Sequence, residues 1–286
     1  MTLPGPIAFV AAAGYNPQAM REGHIGSAAG RLALAALLIA ASVVACRSPS
    51  DPAWERVRDS GLLRVGMDAS FPPFEFVAAD GSLAGFDVDL ARGLSARLGV
   101  EPQLVANLPY DGLYDALTAQ RVDVVLSALV VNPARTADVA YSTPYFDAGP
   151  ILVVRHEERV VRSVTDFDGH SLAVALGTLG DREARSWARR SGALSVLPYP
   201  TAAEALGALS AGDADAALVD HVSALEAMGE GGALSVVGEP IVAVPYAVGM
   251  RKDSQHLLRA VNSALAGMEE DGTLDELITR WLKGQP

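Results

Sequence analysis

The chain has 286 residues, half of them hydrophobic, and its 34 acidic and 22 basic side chains give a formal net charge of −12 at pH 7. That length is enough for two domains with separate hydrophobic cores. The acidic balance argues against a nucleic-acid partner, and the single cysteine, Cys46, excludes disulfides within the chain.

The first 45 residues have the pattern of a bacterial secretion signal. An apolar run over 32–45 contains one polar residue, Ser42, and follows Arg21 and Arg31. Fourteen residues are too few to cross a bilayer comfortably, but they suit the core of a signal peptide. We therefore predict a lipoprotein signal peptide over 1–45, whose removal takes away two arginines and one glutamate and leaves a net charge of −13.

The run ends at Cys46 with a small residue before it, which resembles the lipobox of bacterial lipoproteins. In that motif the cysteine becomes the lipidated, palmitate-bearing first residue of the mature protein. We predict a lipid anchor that holds the protein outside the cytoplasm on a cell membrane, followed by a tether over 46–60. The alternatives are an uncleaved membrane anchor with an incidental cysteine, and a true start at Met20.

Beyond residue 60, apolar runs and turn signals alternate in a manner typical of α/β proteins. The predicted strands occupy 62–67, 74–77, 82–86, 102–106, 122–126, 151–154, 172–176, 214–219 and 242–250. The predicted helices before residue 250 occupy 87–98, 110–119, 181–190 and 202–211. Two more helices close the chain, one with a stripe of Leu257, Val261, Leu265 and Met268 and one with a capping box over 273–276.

A faint internal repeat indicates two similar units. The pattern Ala-Leu-(Ser/Thr)-Ala-x-x-x-Asp-x-x-Leu occurs at 116–126 and again, 92 residues later, at 208–218. We predict an α/β fold in which each unit has a largely parallel sheet flanked by helices. Ligands bind at the carboxyl ends of strands in such sheets. Those ends are Asp68, Ser127, Gly177 and Asp220, which would face each other across a cleft.

The segment that follows Ser127 contains a candidate anion site. Asn132 and Pro133 favour the start of a short helix, and Arg135 falls in its first turn. A cation there opposes the helix dipole unless an anion lies between the two. The alternative is a solvated surface arginine without a ligand.

Several short motifs occur together in the order seen in one protein family. They are Asp68-Ala-Ser-Phe71-Pro-Pro-Phe74, Gly85-Phe86-Asp87-Val88-Asp89-Leu90, Val130-Val-Asn-Pro-Ala-Arg135, Ser142-Thr-Pro-Tyr145 and Asp271-Gly272 with Trp281. The chain therefore resembles the polar amino-acid-binding family of solute-binding proteins that feed ABC importers, bacterial extracellular solute-binding protein family 3. The resemblance runs from about residue 62 to residue 281.

The resemblance implies a two-lobed periplasmic-binding-protein-like fold that closes on its ligand. The lobes would be joined by two crossing strands near 148–153 and 244–248. Lobe 1 would comprise 61–148 with 244–286, and lobe 2 would comprise 149–243. The implied function is to capture an amino acid, most simply a polar one, and deliver it to an ABC permease, as a monomer without cofactor or metal.

Matching positions imply how the charged ends of the ligand are bound. Arg135 would bind the α-carboxylate, aided by backbone amides near Ser127, Ala128 and Val130. Asp220, from the other lobe, would pair with the α-ammonium. The scheme is physically coherent because a zwitterion taken out of water needs both of its charges matched.

The same resemblance places the rest of the ligand. Phe71 and Tyr110 would enclose its side chain, and Asp68 would face its tail or its ammonium group. Gly177 and Thr178 would donate hydrogen bonds from a strand end.

Three positions depart from the family pattern. Val130 and Leu179 stand where the family commonly has hydroxyl residues, and Asn132 replaces the usual threonine. The carboxylate clamp therefore has fewer side-chain donors. A less usual amino acid or a related carboxylate is an alternative ligand.

Each candidate also has a purely structural alternative. Asp68 and Asp220 could cap the turns that follow them. Phe71 and Tyr110 could be ordinary core rings.

The sequence favours a binding protein over an enzyme. The five histidines lack metal-ligand spacing, and Asp87 with Asp89 at a helix start suits capping better than metal binding. His221 beside Asp220 is interpreted as incidental, since strand neighbours point to opposite faces. We therefore predict no catalytic residue, metal or cofactor.

One enzyme alternative survives, because some cyclohexadienyl dehydratases resemble the same family. Asp68, Glu75 and Asp220 would then be the available acids. A ligand-sensing protein is the third alternative.

Overall fold

The structure is a computed structural model that describes residues 51–156, 169–229 and 233–283. The predictions made for the signal peptide and for Cys46 lie outside these residues. Within the described residues, no helix combines the length and apolarity needed to span a bilayer.

The strands of the described residues are mostly short. In chain order they are β1 (Leu62–Gly66), β2 (Ser70–Phe71), β3 (Glu75–Val77), β4 (Leu83–Ala84), β5 (Glu101–Val105), β6 (Val124–Val125), β7 (Val139–Tyr141), β8 (Phe146–Asp147), β9 (Pro150–Arg155), β10 (Ser171–Ala175), β11 (Ser195–Tyr199), β12 (Ala216–Asp220), β13 (Leu234–Val237), β14 (Pro245–Tyr246) and β15 (Gly249–Arg251).

The helices run between and around these strands. They are α1 (Pro52–Ser60), α2 (Phe86–Leu98), α3 (Leu113–Thr118), α4 (Leu179–Ser191), α5 (Ala202–Ala211), α6 (His221–Gly229), α7 (Gln255–Glu270) and α8 (Thr273–Trp281). Single 3-10 turns occur at Tyr110–Gly112 and Pro133–Arg135.

Two five-stranded sheets have the same layout. The first sheet has the order β5-β1-β6-β15-β7 and the second has the order β11-β10-β12-β9-β13. In each, two parallel pairings are followed by two antiparallel pairings. The prediction of similar units is therefore confirmed. Each sheet is mixed, with four strands in one direction and one strand in the other. The antiparallel pairings all involve β15 in the first sheet or β9 in the second sheet, because each of these strands runs opposite to both of its neighbours.

Two short strands connect the sheets. β8 pairs antiparallel with β14, with Phe146 opposite Tyr246, and the chain passes from one sheet to the other beside each strand. The Asp147 carboxylate accepts hydrogen bonds from the backbone N–H groups of Gly149 (2.9 Å) and Val244 (2.8 Å), which ties the two passages together. The lobe bounds proposed from the sequence stay a prediction.

A tight turn sets the position of α2. Gly85 has φ +128°, and a Cβ atom there would lie 2.2 Å from the Phe74 carbonyl oxygen, so only glycine fits. The Asp87 N–H then donates to that same oxygen at 2.8 Å. This turn brings the first residues of α2 against the Phe71–Phe74 bend.

Two local predictions were wrong. Helix α1 lies inside the predicted tether, with Ala53 and Val57 buried and Asp51 accepting a hydrogen bond from the Trp54 N–H at 3.0 Å. The predicted capping box at Thr273 is absent, because Gly272 is the N-cap residue of α8.

Candidate functional site

A pocket of about 300 Å³ lies at the carboxyl ends of β1 and β6, beside the connecting strand β14. It is lined by Asp68, Ser70, Phe71, Glu75, Tyr110, Ser127, Ala128, Val130 and Tyr246. Six of the ten predicted ligand-binding residues are among them. Ser70, Glu75 and Tyr246 are additional, while Arg135, Gly177, Thr178 and Asp220 do not line the pocket.

Aromatic rings form one wall of the pocket. Phe71 is 49% exposed and Tyr110 is 45% exposed. The Phe71 ring stacks on the Phe74 ring at a centroid distance of 5.8 Å and an angle of 13°. Phe74 itself is fully buried. The alternative that Phe71 and Tyr110 are core rings is therefore wrong, since both offer apolar surface to a ligand.

Asp68 lines the pocket and holds two neighbouring segments by hydrogen bonds. One oxygen of its carboxylate accepts from the Ser70 hydroxyl at 2.8 Å, and the other accepts from the Tyr110 backbone N–H at 3.1 Å. The carboxylate thus fixes the position of the Tyr110 ring as well as lining the pocket. The contact with Ser70 is of the kind expected if Asp68 caps the turn that follows it.

The segment from Ser127 to Val130 forms the inner wall. The Ser127 hydroxyl accepts from the Asp68 N–H at 3.0 Å and donates to Glu75 Oε1 at 2.7 Å. Ala128 has φ +42°, a left-handed conformation that costs an L-residue free energy. Its N–H donates to Asp87 Oδ2 at 2.5 Å, so this amide is directed at Asp87 and away from a ligand.

A pair of buried carboxyl groups, Glu75 and Asp87, lies beneath that wall. Glu75 is 1% exposed and Asp87 is fully buried. Burial, and then the charge of Asp87, raises the pKa of Glu75 to about 10. Burial also raises the pKa of Asp87 to about 7, although hydrogen bonds from Ala128 and Tyr145 oppose that rise.

Sequence reasoning missed this acid pair. Asp87 was interpreted as a helix-stabilising residue, and Glu75 was considered only for the dehydratase alternative. The available signal was that each acid stands between apolar neighbours, Phe74 and Phe76 for Glu75 and Phe86 and Val88 for Asp87.

Arg135 lies in a 3-10 turn of three residues, where a helix had been predicted. The Asn132 side chain does accept from the Ala134 N–H at 3.0 Å, as expected of an N-cap residue. The Arg135 guanidinium lies 4.9 Å from the centre of the Tyr114 ring. This contact holds an exposed cation close to the 3-10 turn that carries Tyr110.

The candidates from the second sheet lie at the ends of β10 and β12. Thr178 caps α4, since its hydroxyl accepts from the Asp181 N–H at 3.3 Å, and the Gly177 N–H donates to Asp181 at 3.0 Å. The Asp220 carboxylate accepts from Ser223 through the N–H at 2.9 Å and the hydroxyl at 2.8 Å. Asp220 therefore caps the turn that follows it, and its carboxylate remains exposed.

An electrostatic contact links Asp220 to the pocket. Burial raises the pKa of Tyr246 to about 12, and the charges of Tyr110 and Asp220 add to the rise. Asp220 therefore lies within electrostatic range of a pocket-lining ring.

His221 belongs to the connection between the sheets. Its Nδ1 lies 2.8 Å from the Asp147 carbonyl oxygen, and its ring stacks on Phe146 at 5.1 Å. It does not hydrogen-bond Asp220 as a general acid–base partner would. No group of acidic, histidine or cysteine side chains in the described residues has the arrangement of a metal site.

Comparisons with known proteins agree with this geometry. The family model of the bacterial extracellular solute-binding proteins, family 3, matches residues 63–284. The L-cystine-binding protein TcyJ of Escherichia coli (strain K12) is 33% identical over 266 residues, which cover 92% of this chain and 97% of that protein.

Solved structures show the same fold. An ancestral cationic amino acid solute-binding protein has a TM-score of 0.60 at 33% identity, covering 80% of this chain and 99% of that chain. An ancestral cyclohexadienyl dehydratase has a TM-score of 0.69 at 28% identity, covering 80% of this chain and 96% of that chain.

The twin sheets, their paired connecting strands and the pocket at the strand ends define a two-lobed binding protein of the periplasmic type. The chain belongs to the bacterial extracellular solute-binding proteins, family 3. The family resemblance and the fold class predicted from the sequence are thereby confirmed.

Proposed function

We propose that this protein captures an amino acid in the pocket, outside the cytoplasm, and delivers it to the membrane subunits of an ABC importer. The exposure of the Phe71 and Tyr110 rings beside a polar wall carries the proposal. Exposed aromatic surface in a concave pocket gains free energy when a ligand covers it. A flat amino-acid side chain between these rings would provide that cover.

The charged ends of the ligand would be matched by Arg135 and Asp220. A guanidinium suits a carboxylate because it can donate two parallel hydrogen bonds, and an ionised aspartate suits an ammonium group. Gly177 and Thr178 would donate from the second sheet. A ligand bound from both sheets stabilises the arrangement in which they approach each other, so binding and closure are coupled.

The pocket favours a polar or cationic ligand side chain. Its lining contains the Asp68 carboxylate, the protonated Glu75 and four hydroxyl groups, and none of these described lining residues is basic. The names of the cystine-binding relative and of the cationic amino acid-binding structure point in the same direction.

A thermal-shift screen of the purified protein against the common amino acids, cystine and prephenate tests the proposal. A ligand at about 100 times its dissociation constant adds roughly 2.7 kcal/mol to the free energy of unfolding. We expect stabilisation by one amino acid or a small chemical set, with the effect lost in Arg135→Ala and kept in Arg92→Ala. A flat response from ligand-stripped protein would contradict the amino-acid assignment.

A second candidate is a dehydratase acting on a cyclohexadienyl substrate. Two observations favour it: the similarity to the ancestral dehydratase, and a pocket-lining carboxyl, Glu75, that stays protonated near neutral pH. The contacts of Glu75 with Ser127 and with the Asp87 charge argue for a structural role. Turnover of prephenate that disappears in Glu75→Gln would establish the enzyme.

The anchor at Cys46 and the monomeric state are also proposals. The lipobox-like sequence before Cys46 supports the anchor. A Cys46→Ser variant should leave the membrane fraction while keeping its ligand affinity. Light scattering of that variant would measure the oligomeric state.

A further inference from the structure

The acid pair of Glu75 and Asp87 has no visible counter-charge. Glu75 lies on β3 and Asp87 lies in the first turn of α2, and both are at most 1% exposed. No salt bridge among the described residues includes either carboxyl group. Two buried negative charges without a cation would be strongly unfavourable.

The hydrogen bonds of the pair leave one oxygen of each group without a partner. Glu75 Oε1 accepts from the Ser127 hydroxyl, and Asp87 Oδ2 accepts from the Ala128 N–H and from the Tyr145 hydroxyl at 3.0 Å. Glu75 Oε2 and Asp87 Oδ1 are fully buried with no donor in reach. The Glu75 and Asp87 side chains lie within hydrogen-bonding reach of each other. One proton between these two oxygens therefore satisfies both, since a protonated carboxyl donates and an ionised one accepts.

We infer that Glu75 and Asp87 share a single proton and act as positioning residues that hold the Ser127–Ala128 wall in its ligand-binding shape, so that ligand affinity depends on this proton. The inference rests on the proposed function in one respect, namely that this pocket binds the ligand. Asp87 holds the strained Ala128 backbone through its N–H, and Glu75 holds the Ser127 hydroxyl, which in turn holds the Asp68 backbone.

The charged and titratable groups that face the pair bring no positive charge to it. They are Asp68 after β1, Tyr110 before α3, Tyr145 before β8 and Tyr246 in β14. The tyrosines are neutral and Asp68 is acidic, so none supplies the positive charge that would stabilise a second carboxylate. Loss of the proton would therefore place two like charges beneath the Ser127–Ala128 wall and loosen it.

The test starts with infrared spectroscopy of the purified protein at about pH 8, between the pKa values of the two groups. We expect a C=O band of a buried neutral carboxyl group, and we expect Glu75→Gln to abolish it. Absence of the band from the wild type would mean that both acids are ionised. Persistence of the band in Glu75→Gln would mean that Asp87 carries its own proton. Either result would overturn the inference.

Stability and binding complete the test. Wild-type stability should fall as pH rises from about 7 to 9, because in this range Asp87 is ionised and only the folded state keeps the Glu75 proton. Glu75→Gln should lack this slope, whereas the control Asp89→Asn, two residues from Asp87, should keep it. Identical slopes in all three proteins would also overturn the inference.

With L-arginine and L-cystine as probes, the control Asp89→Asn should bind within about threefold of wild type. Glu75→Gln should bind more tightly than Glu75→Leu, because its amide reproduces both hydrogen bonds. Glu75→Leu should bind at least about tenfold more weakly than wild type, because Ser127 loses its acceptor. Wild-type affinity in Glu75→Leu would contradict the positioning role. If neither probe binds the wild type, the amino acid found in the thermal-shift screen replaces them. If no amino acid binds, the proposed function is wrong, and the infrared band and the pH slope still decide this inference.

Discussion

Phe71 and Phe74 are neighbours in one bend, and their rings stack, but their surroundings differ completely. Phe74 is buried among Phe86, Phe146 and Tyr246, with ring centroids 5.3 to 5.8 Å away. Phe71 faces the pocket. One ring therefore supports the fold, and the other is available to a ligand.

This difference predicts opposite effects of the two alanine substitutions. Phe74→Ala should lower the free energy of unfolding by about 3–5 kcal/mol, as expected for a buried phenylalanine. Phe71→Ala should lower it by less than about 1 kcal/mol but weaken ligand binding at least about tenfold. Urea denaturation and calorimetric titration measure the two effects. Wild-type affinity in Phe71→Ala would remove that ring from the site.

A substitution at Asp220 can separate the effect of its negative charge from its role as a helix cap. Its carboxylate caps α6 through Ser223, and asparagine is an equally good N-cap residue. Asp220→Asn should therefore keep wild-type stability while it weakens binding of an α-amino acid at least about tenfold, the effect of an ammonium left without its counter-charge. Unchanged affinity in calorimetry would show that the ammonium is bound elsewhere.

For single residues, the sequence predicts those pocket residues whose location follows from their position at the end of a strand. The ends of β1 and β6 form the pocket because parallel strands present their carboxyl ends at one edge. The acid pair was not predictable in the same way. Glu75 and Asp87 meet only because a hairpin and the Gly85 turn fold back on each other, and no local pattern encodes that meeting.

Among the elements, the internal repeat has a physical explanation. Asp123, before β6, accepts from the Arg64 backbone N–H in β1 at 2.9 Å. Asp215, before β12, accepts from the Ser171 backbone N–H in β10 at 2.7 Å. The repeated aspartate therefore joins the segment before β6 to β1 in the first sheet, and the segment before β12 to β10 in the second sheet.

The two aspartates differ in surroundings, and this difference is testable. Asp123 is buried and bridges Arg56 and Arg64, whereas 41% of the Asp215 side chain is exposed. Removing one partner of a buried ion pair costs about 3–5 kcal/mol, and an exposed contact costs about 1 kcal/mol or less. Asp123→Ala should therefore destabilise the protein far more than Asp215→Ala in urea denaturation.

Asp123 and Asp215 also predict that the protein loses stability in acid. Burial alone would raise the pKa of Asp123, but hydrogen bonds from Arg64 and Arg56 hold it below its usual value of 3.8. The backbone hydrogen bond from Ser171 likewise lowers the pKa of Asp215. Their contribution is present above the unfolded value and is lost as pH falls below about 3.8. Asp123→Ala should flatten this acid limb in thermal unfolding, and an unchanged limb would assign it to other carboxyl groups.

Long apolar patterns predicted their elements well, including the buried stripe of α7. The misses have local causes. Helix α1 is short and largely polar, so its two buried residues gave little periodicity. At the start of α8, Asp271 accepts both the N–H and the hydroxyl of Thr273, which removes Thr273 from the capping position.

At the scale of the whole molecule, the connection between the sheets is tightly packed. A Cβ atom at Gly149 would lie 2.0 Å from the Val242 carbonyl oxygen, so any side chain there forces the two passages apart. Gly149→Ala should lower both stability and ligand affinity, because closure depends on this connection. The control Gly207→Ala has open space around its added carbon and lies within a helix, so it should do neither. If calorimetry finds the same stability and the same ligand affinity for both variants, the packing at Gly149 does not control closure.

The strand order of the first sheet also bears on how the protein is made. β15 lies between β6 and β7, yet it is translated after every strand of the second sheet. A nascent chain that has emerged as far as residue 240 holds all five strands of the second sheet, while β6 and β7 still lack the strand that joins them. The half of the molecule that is synthesised first is thus completed last. For a protein exported through a membrane, as proposed here, this delay keeps the half that carries the pocket unfinished until translation is nearly over.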